Sequence, residues 1–188
     1  MRKNFGQLKT AVQTITPAHA DVGTYINNAM VDLAKFSERE RRTSLSVSSG
    51  KITLPVDCLY IRSVGYEGAP LAIQDGRQSP DYGTGSPMFY MEQEDEVFLF
   101  PVPADGTSID IVYCPRPVVL VNDEDVPELK DADDAIIAYA KWKIYTVKED
   151  FAAAEYWRDE YMSEKINWLS LDGMRNKRVH RVRTRPFR

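Results

Sequence analysis

The chain has 188 residues, 43% of them hydrophobic and 28% charged, a composition that is ordinary for one folded domain or two small ones. It contains no run of 18 apolar residues, so we expect no membrane span, and Met1-Arg2-Lys3 leads into no apolar stretch of the kind found in secretory signals. The formal net charge of -4 combines a basic C-terminus with an acidic remainder.

Two short amphipathic helices are predicted before residue 43. The inner face of the first repeats at helical spacing and consists of Phe5, Leu8, Val12 and Ile15. Pro17 should end this helix, because proline cannot continue the backbone hydrogen-bond ladder. Asp21 or Thr24 can cap the second helix. Its predicted inner face consists of Ile26, Ala29, Leu33 and Phe36.

The sequence from residue 43 onward predicts an antiparallel β region. Alternating side chains indicate a hairpin, with strands at 44–48 and 51–54 on either side of a Ser49-Gly50 turn. Further strands are predicted at 58–66 and 71–73. Residues 75–86 then form a loop of about twelve residues without periodicity, which is either functional or a disordered connector, and the sequence leaves both open.

A three-stranded meander is predicted after this loop, with strands at 88–92, 96–100 and 107–113. The last of these alternates between apolar and polar side chains, as a half-buried strand does. Cys114-Pro115-Arg116-Pro117 predicts a sheet edge or exit, because proline donates no ladder hydrogen bond, and residues 118–121 can add one short strand. Cys58 and Cys114 have apolar neighbours and are expected to be buried free thiols.

The helical period returns after an acidic connection, with a third helix starting at Asp131 or Asp133. Its predicted inner face consists of Ile136, Ala140, Ile144 and Val147. A fourth helix is predicted from about residue 150 to 169, with Gly173 as its stop signal. Its inner stripe consists of Phe151, Ala154, Trp157, Tyr161, Met162, Ile166 and Leu169. Trp142 and Trp168 fall off these stripes, so each is either a contact with a neighbouring subunit or a partly exposed ring.

These patterns predict an α+β fold. A four-helix subdomain should be formed by both ends of the chain, residues 1–42 and 122–173, because isolated helices of this length are marginal in water. Residues 43–121 should form an inserted antiparallel sheet or sandwich, and residues 174–188 an extended basic tail.

Motifs for catalysis, nucleotide binding and metal binding are not found in the sequence. Gly83-Thr84-Gly85-Ser86 resembles a phosphate loop in composition alone, because it precedes a strand and not a helix. His19 and His180 have no partner at zinc-ligand spacing. The acidic residues between 123 and 134 lack the spacing and glycine of a calcium loop, so a solvated loop is favoured. We therefore expect no enzyme, no cofactor and no metal site.

The last fifteen residues are the strongest single feature, since they contain seven cations and no acidic side chain. The other 173 residues carry 17 Lys and Arg against 28 Asp and Glu, a net charge of -11. Such a basic segment is too charged to fold by itself. Its arginines suit phosphate and carboxylate alike, so it indicates an arm for a nucleic acid or for an acidic protein surface.

Four motifs and the layout of the chain carry a resemblance to a known family. The motifs are Gly85-Ser86-Pro87-x-x-Tyr90, Phe98-Leu99-Phe100-Pro101-Val102-Pro103, Ile111-Val112-Tyr113 and Val126-Pro127-Glu128-Leu129. With two N-terminal helices, a β insert, two C-terminal helices and a basic tail, the chain resembles the head-to-tail adaptors of tailed bacteriophages. More narrowly, it resembles the tail tubular protein A (gatekeeper) type of short-tailed phages.

The resemblance implies a structural virion protein without catalysis that is assembled in the host cytoplasm. Such proteins form a ring, commonly of twelve copies, that docks on the portal and continues the DNA channel towards a tail nozzle or other tail protein. Genomic DNA passes through the lumen without specific binding, and no membrane is involved. The implied portal-binding residues are Arg175, Lys177, Arg178, Arg181, Val182, Arg183, Arg185 and Phe187. Loop 75–86 is expected to contact the tail side or a neighbouring subunit.

Two other classes of function remain open from the residues alone. One is a nucleic-acid-binding protein that uses the basic C-terminal arm. The other is a β-sandwich binder of ligands or carbohydrates, or a hydrolase, in which Tyr60, Tyr82 and Tyr90 are exposed and stack on sugars. The acidic body favours protein docking over DNA binding, because a net charge of -11 repels phosphate.

Overall fold

The structure is a computed structural model that describes residues 2–14, 16, 21–74 and 82–177, the last four for the backbone alone. Its fold is α+β, as predicted. It divides into a helical unit, Met1–Glu38 with Pro117–Arg188, and a β unit, Arg39–Arg116. Ile15, Pro17, His19 and His180, which are discussed above, lie outside the described part of the chain. None of the described helices combines the length and the apolar character needed to cross a bilayer.

The described part of the helical unit contains four helices: α1 (Phe5–Gln13), α2 (Val22–Ala34), α3 (Asp133–Val147) and α4 (Phe151–Lys177). A capping box starts α1, in which the Asn4 side chain accepts the N–H of Gln7 and the Gln7 side chain accepts the N–H of Asn4. α3 packs against the other three helices. The predicted inner faces of α1 and α2 are confirmed at Phe5, Leu8, Val12, Ile26, Ala29 and Leu33, which are all buried.

Two residues predicted to face inward lie exposed at helix ends instead. Phe36 follows the last turn of α2 and is 54% exposed, and Val147 is the last residue of α3 and is 59% exposed. A helical period places such residues on the inner face, but it does not show where the partner helix ends. The Phe36 ring lies under the ammonium of Lys165, 3.7 Å from its centroid.

α4 buries a narrower stripe than the one predicted. Its buried residues, Ala154, Tyr161 and Trp168, recur every seven positions, the spacing with which one helix packs along another. The prediction that Trp168 is a subunit contact or a partly exposed ring is wrong. Its ring is buried, and its Nε1–H donates to the carbonyl of Lys130 at 2.9 Å.

Three of the predicted inner residues of α4 are exposed as a consequence. Phe151, Met162 and Ile166 are 69%, 54% and 64% exposed. Helical geometry places all three within about 60° of one another around the axis, on a face turned away from the buried stripe. The sequence pattern therefore contains more apolar positions than α3 can cover.

The predicted end of the fourth helix is also wrong. Gly173 lies inside α4, which continues to Lys177, so residues 174–177 are helical and not an extended tail. A glycine inside a helix costs about 1 kcal/mol relative to alanine, which local tertiary contacts can offset. One such contact is the N–H of Glu38, which donates to the Asp172 carboxylate at 3.1 Å and fastens this part of α4 to the end of α2.

The described part of the β unit contains eight strands in two sheets. The strands are β1 (Arg41–Ser46), β2 (Lys51–Thr53), β3 (Cys58–Tyr66), β4 (Ala69–Pro70), β5 (Ala72–Ile73), β6 (Phe89–Gln93), β7 (Glu96–Phe100) and β8 (Ser108–Pro115). One sheet has the order β1-β8-β3-β4 and the other the order β2-β7-β6-β5. Both contribute to one hydrophobic cluster, which includes Val64 and Ile111 from the first and Ile52 and Leu99 from the second.

Strand partners differ from the prediction in three places. The turn at Ser49-Gly50 is present, but β1 pairs with β8 and β2 pairs with β7, so the two do not form a hairpin. β6 and β7 pair as predicted, but β8 lies in the other sheet, so there is no three-stranded meander. β5 pairs with β6 in parallel. Periodicity reveals which side of a strand is buried, but not which strand lies beside it.

The chain leaves the β unit through Pro115, the last residue of β8. β8 is a central strand, so the exit interpretation of the Cys-Pro-Arg-Pro segment holds and the edge interpretation does not. The strand predicted at 118–121 is also wrong, because these residues pair with no strand in the described structure. The peptide of Leu120 bonds instead to the side chain of Asn27 on α2.

Candidate interaction surfaces

A polar latch joins α2 to α4 in the helical unit. The hydroxyl of Tyr161 and the ammonium of Lys165 both donate to Oδ2 of Asp32, the ammonium at 2.8 Å. Partial burial opposes ionisation of Asp32, but the two donors outweigh it and lower the pKa of this carboxyl below its usual value. Burial, and then the bond to Asp32, raises the pKa of Tyr161. The latch therefore couples an ionised carboxylate to a protonated phenol and sets the position of α4.

Aromatic rings pack around the same tyrosine. Tyr139 meets the Tyr161 ring edge-on at 5.1 Å between centroids, and Trp142 stacks on it at 6.0 Å. Lys143 caps the outer side of this group, with its ammonium 3.8 Å from the centroid of Trp142. Trp142 is half-buried, so its predicted contact with a neighbouring subunit stays a prediction. The rings hold α3 and α4 together.

The predicted portal-binding residues lie at and beyond the end of α4. The backbones of Arg175 and Lys177 belong to its last turn. The other six lie outside the described residues: Arg178, Arg181, Val182, Arg183, Arg185 and Phe187. Their role therefore stays a prediction.

The predicted loop 75–86 is described from residue 82 onward, and residues 75–81 lie outside the described structure. Tyr82 stacks on Phe89 with 5.6 Å between ring centroids. Val102 donates its N–H to Gly83 and accepts the N–H of Gly85, at 3.0 and 2.9 Å. This part of the loop is therefore fastened to the hairpin of β6 and β7.

A cavity of about 560 Å³ lies beside this fastened segment. Its lining consists of Tyr66, Thr84, Gly85, Ser86, Val102, Pro103, Ala104 and Thr107. None of these lining residues carries a charge, and four of them have hydroxyl groups. The cavity therefore suits a neutral side chain or a peptide backbone better than a phosphate.

The tyrosines proposed for sugar stacking do not form one exposed surface. Tyr90 is buried, and it belongs to the hydrophobic cluster between the sheets. Tyr82 covers Phe89, and Tyr60 is half-buried with the guanidinium of Arg62 over its ring. The exposure predicted for Tyr90 is therefore wrong, and a carbohydrate platform of these three rings is not formed.

The acidic connection before α3 uses its carboxylates for local structure. Asp125 accepts the N–H groups of Val121 and Asn122, at 2.7 and 2.8 Å, which lowers the pKa of its carboxyl. Asp123 forms an ion pair with Lys9 of α1. In the described part of the chain, no group of three potential metal ligands comes together. These contacts fasten the connection to the start of α1, as a solvated structural loop would.

Two exposed apolar surfaces of the helical unit stand out among its described residues. One, here called the helix patch, consists of Phe36 with Met162 and Ile166 of α4, and Lys165 places Phe36 beside that helix. The other, called the valine segment, is residues 118–121, where Val118, Val119 and Val121 are 63%, 60% and 72% exposed. Periodicity assigned Phe36, Met162 and Ile166 to inner helix faces, and it allowed a short strand at residues 118–121. For the helix patch, the signal in the sequence was that α4 has more apolar positions than one stripe needs. For the valine segment, the signal was a run of β-branched residues directly after two prolines.

A comparison with known protein families gives a match that spans nearly the whole chain. The family model described as SU10 adaptor protein matches residues 3–185, which is nearly the whole chain and includes both units. No curated protein sequence matches the chain.

Proposed function

We propose a function on the premise that this chain belongs to the SU10 adaptor protein family, whose model covers both of its structural units. Membership makes it a structural bacteriophage protein, an adaptor of the virion at the junction of head and tail. The family is one of structural adaptors, and this agrees with a candidate site made of surfaces for protein contact. Its specific contacts are the subject of the proposal.

The adaptor docks on the portal through its C-terminal segment. The observation that supports this proposal is a run of seven cations that begins in the last turn of the long helix α4 and continues beyond it. Cations are favourable near the C-terminus of a helix, where the macrodipole is negative. The proposed portal-binding residues are Arg175, Lys177, Arg178, Arg181, Val182, Arg183, Arg185 and Phe187.

A ring of these chains continues the DNA channel towards the tail. The 173 residues before the basic segment carry a net charge of -11, so the wall of such a channel repels phosphate and lets DNA slide. We take the ring to have twelve copies and the protein to be of the gatekeeper type, assembled on portals in the host cytoplasm. These details rest on the resemblance of the motifs alone.

The β unit supplies the contact on the tail side or with a neighbouring subunit. Loop 75–86 and the uncharged cavity beside it support this part of the proposal. The cavity can accept a neutral side chain from a nozzle protein or another tail protein. Because its lining residues carry no charge, this cavity suits a different kind of contact from the ionic one proposed for the portal.

The test of portal docking is a charge reversal in the C-terminal segment. Arg181→Glu, Arg183→Glu and Arg185→Glu in one chain should abolish binding to purified portal rings, measured by co-sedimentation. The matched control reverses three exposed cations elsewhere, Lys35, Arg42 and Lys148, and should bind as the wild type does. Circular dichroism of both variants checks that they fold. A tail variant that folds and still binds portal refutes this assignment.

A nucleic-acid arm is the second candidate, which the same seven cations favour. Under this alternative the intact protein is retained on duplex DNA at low salt, and the affinity falls steeply as salt rises. Removal of residues 178–188, which leaves α4 intact, should then abolish retention. Failure of the intact protein to bind DNA at low salt eliminates this candidate.

A further inference from the structure

Strand β1 lies at an edge of its sheet, where β8 is its one neighbour in the described structure. Val47 follows β1 directly, and its N–H donates to the carbonyl of Thr107 at 2.9 Å, so the backbone groups of Val47 face the side of β8. Backbone groups alternate in direction along a strand, so those of Arg42, Ser44 and Ser46 face the open side. Together they form a regular row of N–H and C=O groups that no strand of the described residues covers.

The other three sheet edges in the described part of the β unit are short. β2 has three residues, β5 has two, and β4 has two, of which one is Pro70. Short length and proline are two of the features that keep sheet edges from pairing with other chains. β1 has six residues and no proline, and its register with β8 runs without a bulge from Arg41 to Ser46. Among these four edges, β1 is therefore the one that can accept another strand.

The side chains of β1 indicate what kind of strand fits beside it. Leu45 is half-buried and packs against the hydrophobic cluster between the sheets, so an added strand would extend that inner face with apolar residues. Arg42, Ser44 and Ser46 are exposed on the outer face. Residues directly opposite one another in an antiparallel pair share a face, so the added strand would place polar residues opposite these three.

Charge selects among strands of this pattern. The side chain of Arg42 is 75% exposed, and its guanidinium shares the carboxylate of Glu40 with Arg62, at 4.0 and 3.9 Å. One carboxylate between two guanidinium groups leaves Arg42 able to bind another, and hydrogen bonds between two charged groups are the strong ones. An acidic residue opposite Arg42 is therefore favoured, and a basic one is repelled.

We propose that β1 accepts an extended, acidic segment of a tail protein as an additional antiparallel strand. The backbone groups on the open side of β1 bind the segment through ladder hydrogen bonds, and a carboxylate of the segment pairs with Arg42. This inference rests on the proposed function for the source of the strand, because that function gives the β unit its partner on the tail side.

Strands of this chain itself fit the open edge less well. The last fifteen residues carry seven cations and no acidic side chain, so Arg41 and Arg42 repel them. Two copies of β1 can pair about a twofold axis, but such a contact is isologous and closes as a dimer. The ring of the proposed function needs heterologous contacts instead, so a second copy is not the occupant of this edge.

A synthetic peptide bound to the full-length protein tests the inference. The probe is a blocked peptide of nine residues in which Val alternates with Thr and Glu, with N-methyl groups on two of its valines. In the proposed pairing the N–H groups of the valines face away from β1, so these methyl groups spare the contact and prevent the peptide from pairing with itself. Binding is measured by the fluorescence anisotropy of labelled peptide and located by the amide resonances of the protein.

Two peptides are matched controls for the probe. The first carries its two N-methyl groups on Thr and Glu, whose N–H groups face β1 in the proposed pairing, and it keeps every side chain. The second has Lys in place of Glu, with the methyl groups on valine as in the probe. The first control removes backbone donors and the second reverses the charge, so the two requirements of the edge are tested separately.

Ser44→Pro is the matching change in the protein. Its N–H faces the open side, so proline removes no hydrogen bond to β8 and is tolerated at such an edge position. Ser44→Ala is the control, because both variants lose the hydroxyl that donates to Asp110 at 2.6 Å. Circular dichroism checks folding, and the methylated peptides test the same contact on the wild-type chain, whatever the proline variant does.

The probe should bind the wild type and Ser44→Ala and shift the amide resonances of Ser44 and Ser46. Affinity should fall by at least about tenfold for Ser44→Pro, for the peptide methylated on Thr and Glu, and for the Lys peptide. No binding of the probe at millimolar concentration, or equal binding by either methylated peptide, would overturn the inference. A dimer of the wild type that Ser44→Pro dissociates would assign the edge to a second copy and would overturn it too.

Failure of the inference differs from failure of the proposed function. If the probe does not bind but the protein still binds portal rings, the edge is not a strand-binding site and the adaptor function stands. If the probe binds at β1 but the protein binds no portal, the proposed function fails, and the assignment of the strand to a tail protein fails with it.

Discussion

Asn27 holds the backbone of Leu120 with both ends of its side-chain amide. Its Nδ2 donates to the Leu120 carbonyl at 3.1 Å, and its Oδ1 accepts the Leu120 N–H at 2.9 Å. One polar side chain in the middle of α2 thus takes the place of a neighbouring strand for a segment 93 positions further along the chain. Leu120 is buried as a result, and the valines on either side of it are turned outward.

Removal of this clamp should destabilise the helical unit. Asn27→Ala leaves the N–H and the carbonyl of Leu120 without partners in a partly buried site, which costs about 1–3 kcal/mol. Urea unfolding followed by circular dichroism measures the loss. Asn28→Ala, at the next and exposed position of α2, is the matched control and should have little effect. Equal stability of the two variants would contradict the role of the clamp.

The latch at Asp32 should make stability depend on pH in the acid range. The pKa of Asp32 in the folded protein is below its ordinary value of 3.8, so the native state binds fewer protons than the unfolded state. Its contribution is complete above pH 3.8 and disappears as the pH falls through the lower, folded-state value. Asp32→Asn should therefore be less stable than the wild type at pH 7, by about 1–3 kcal/mol.

The difference in stability between the wild type and Asp32→Asn should narrow as the pH falls below 3.8. Thermal unfolding at a series of pH values measures it, with Glu124→Gln in the exposed loop as the control. A gap that stays constant down to pH 2 would show that Asp32 is not ionised in the latch.

The buried indole of Trp168 should stabilise the folded protein more than its position off the predicted stripes indicated. Trp168→Phe removes the donor to the Lys130 carbonyl and leaves a small void, so we expect a loss of about 1–3 kcal/mol in the free energy of unfolding. Tyr156→Phe, on an exposed face of the same helix, should change stability by less than about 0.5 kcal/mol. Chemical denaturation of both variants gives the comparison.

Cys58 should react slowly with alkylating agents at pH 8. Burial, and then the nearby carboxylates of Glu92 and Asp57, raise its pKa to about 11, so little thiolate is present. Its labelling rate should rise about tenfold per pH unit until that value is approached, measured by intact-protein mass spectrometry. Cys114 is buried and should stay unlabelled while the protein is folded, which Cys58→Ser tests directly. Rapid labelling of the wild type at pH 8 would contradict the assignment.

Salt should weaken the proposed binding to the portal. Higher ionic strength screens the cations of the C-terminal segment, and the screening length shrinks about threefold between 50 and 500 mM salt. Co-sedimentation with purified portal rings at both concentrations measures the loss. Portal binding that stays the same at both concentrations would contradict an ionic contact.

The spacing of apolar residues predicted the helices and strands well, but it did not predict which strands pair. The α+β class, the inner faces of α1 and α2 and the strand at Glu96–Phe100 followed from spacing of apolar residues alone. The pairing of β1 with β8 did not follow from this spacing. A strand whose side chains alternate with a period of two can pair with any strand that buries the same face. For the same reason Phe36 counted as an inner residue, although it lies beyond the end of α2 and is more than half exposed.

The sequence by itself determined the kinds of element, their order and the separation of an acidic body from a basic end, since these depend on residues close together in the chain. The tertiary structure decided which apolar residues stay uncovered. Met162 and Ile166 match the helical period as well as Ala154 and Tyr161 do, but α3 can cover one stripe of α4 and not two. Val119 and Val121 alternate as strand residues do, but Asn27 is a single side chain and shields only the residue between them. Burial is a property of packed neighbours, and those neighbours are distant in the chain.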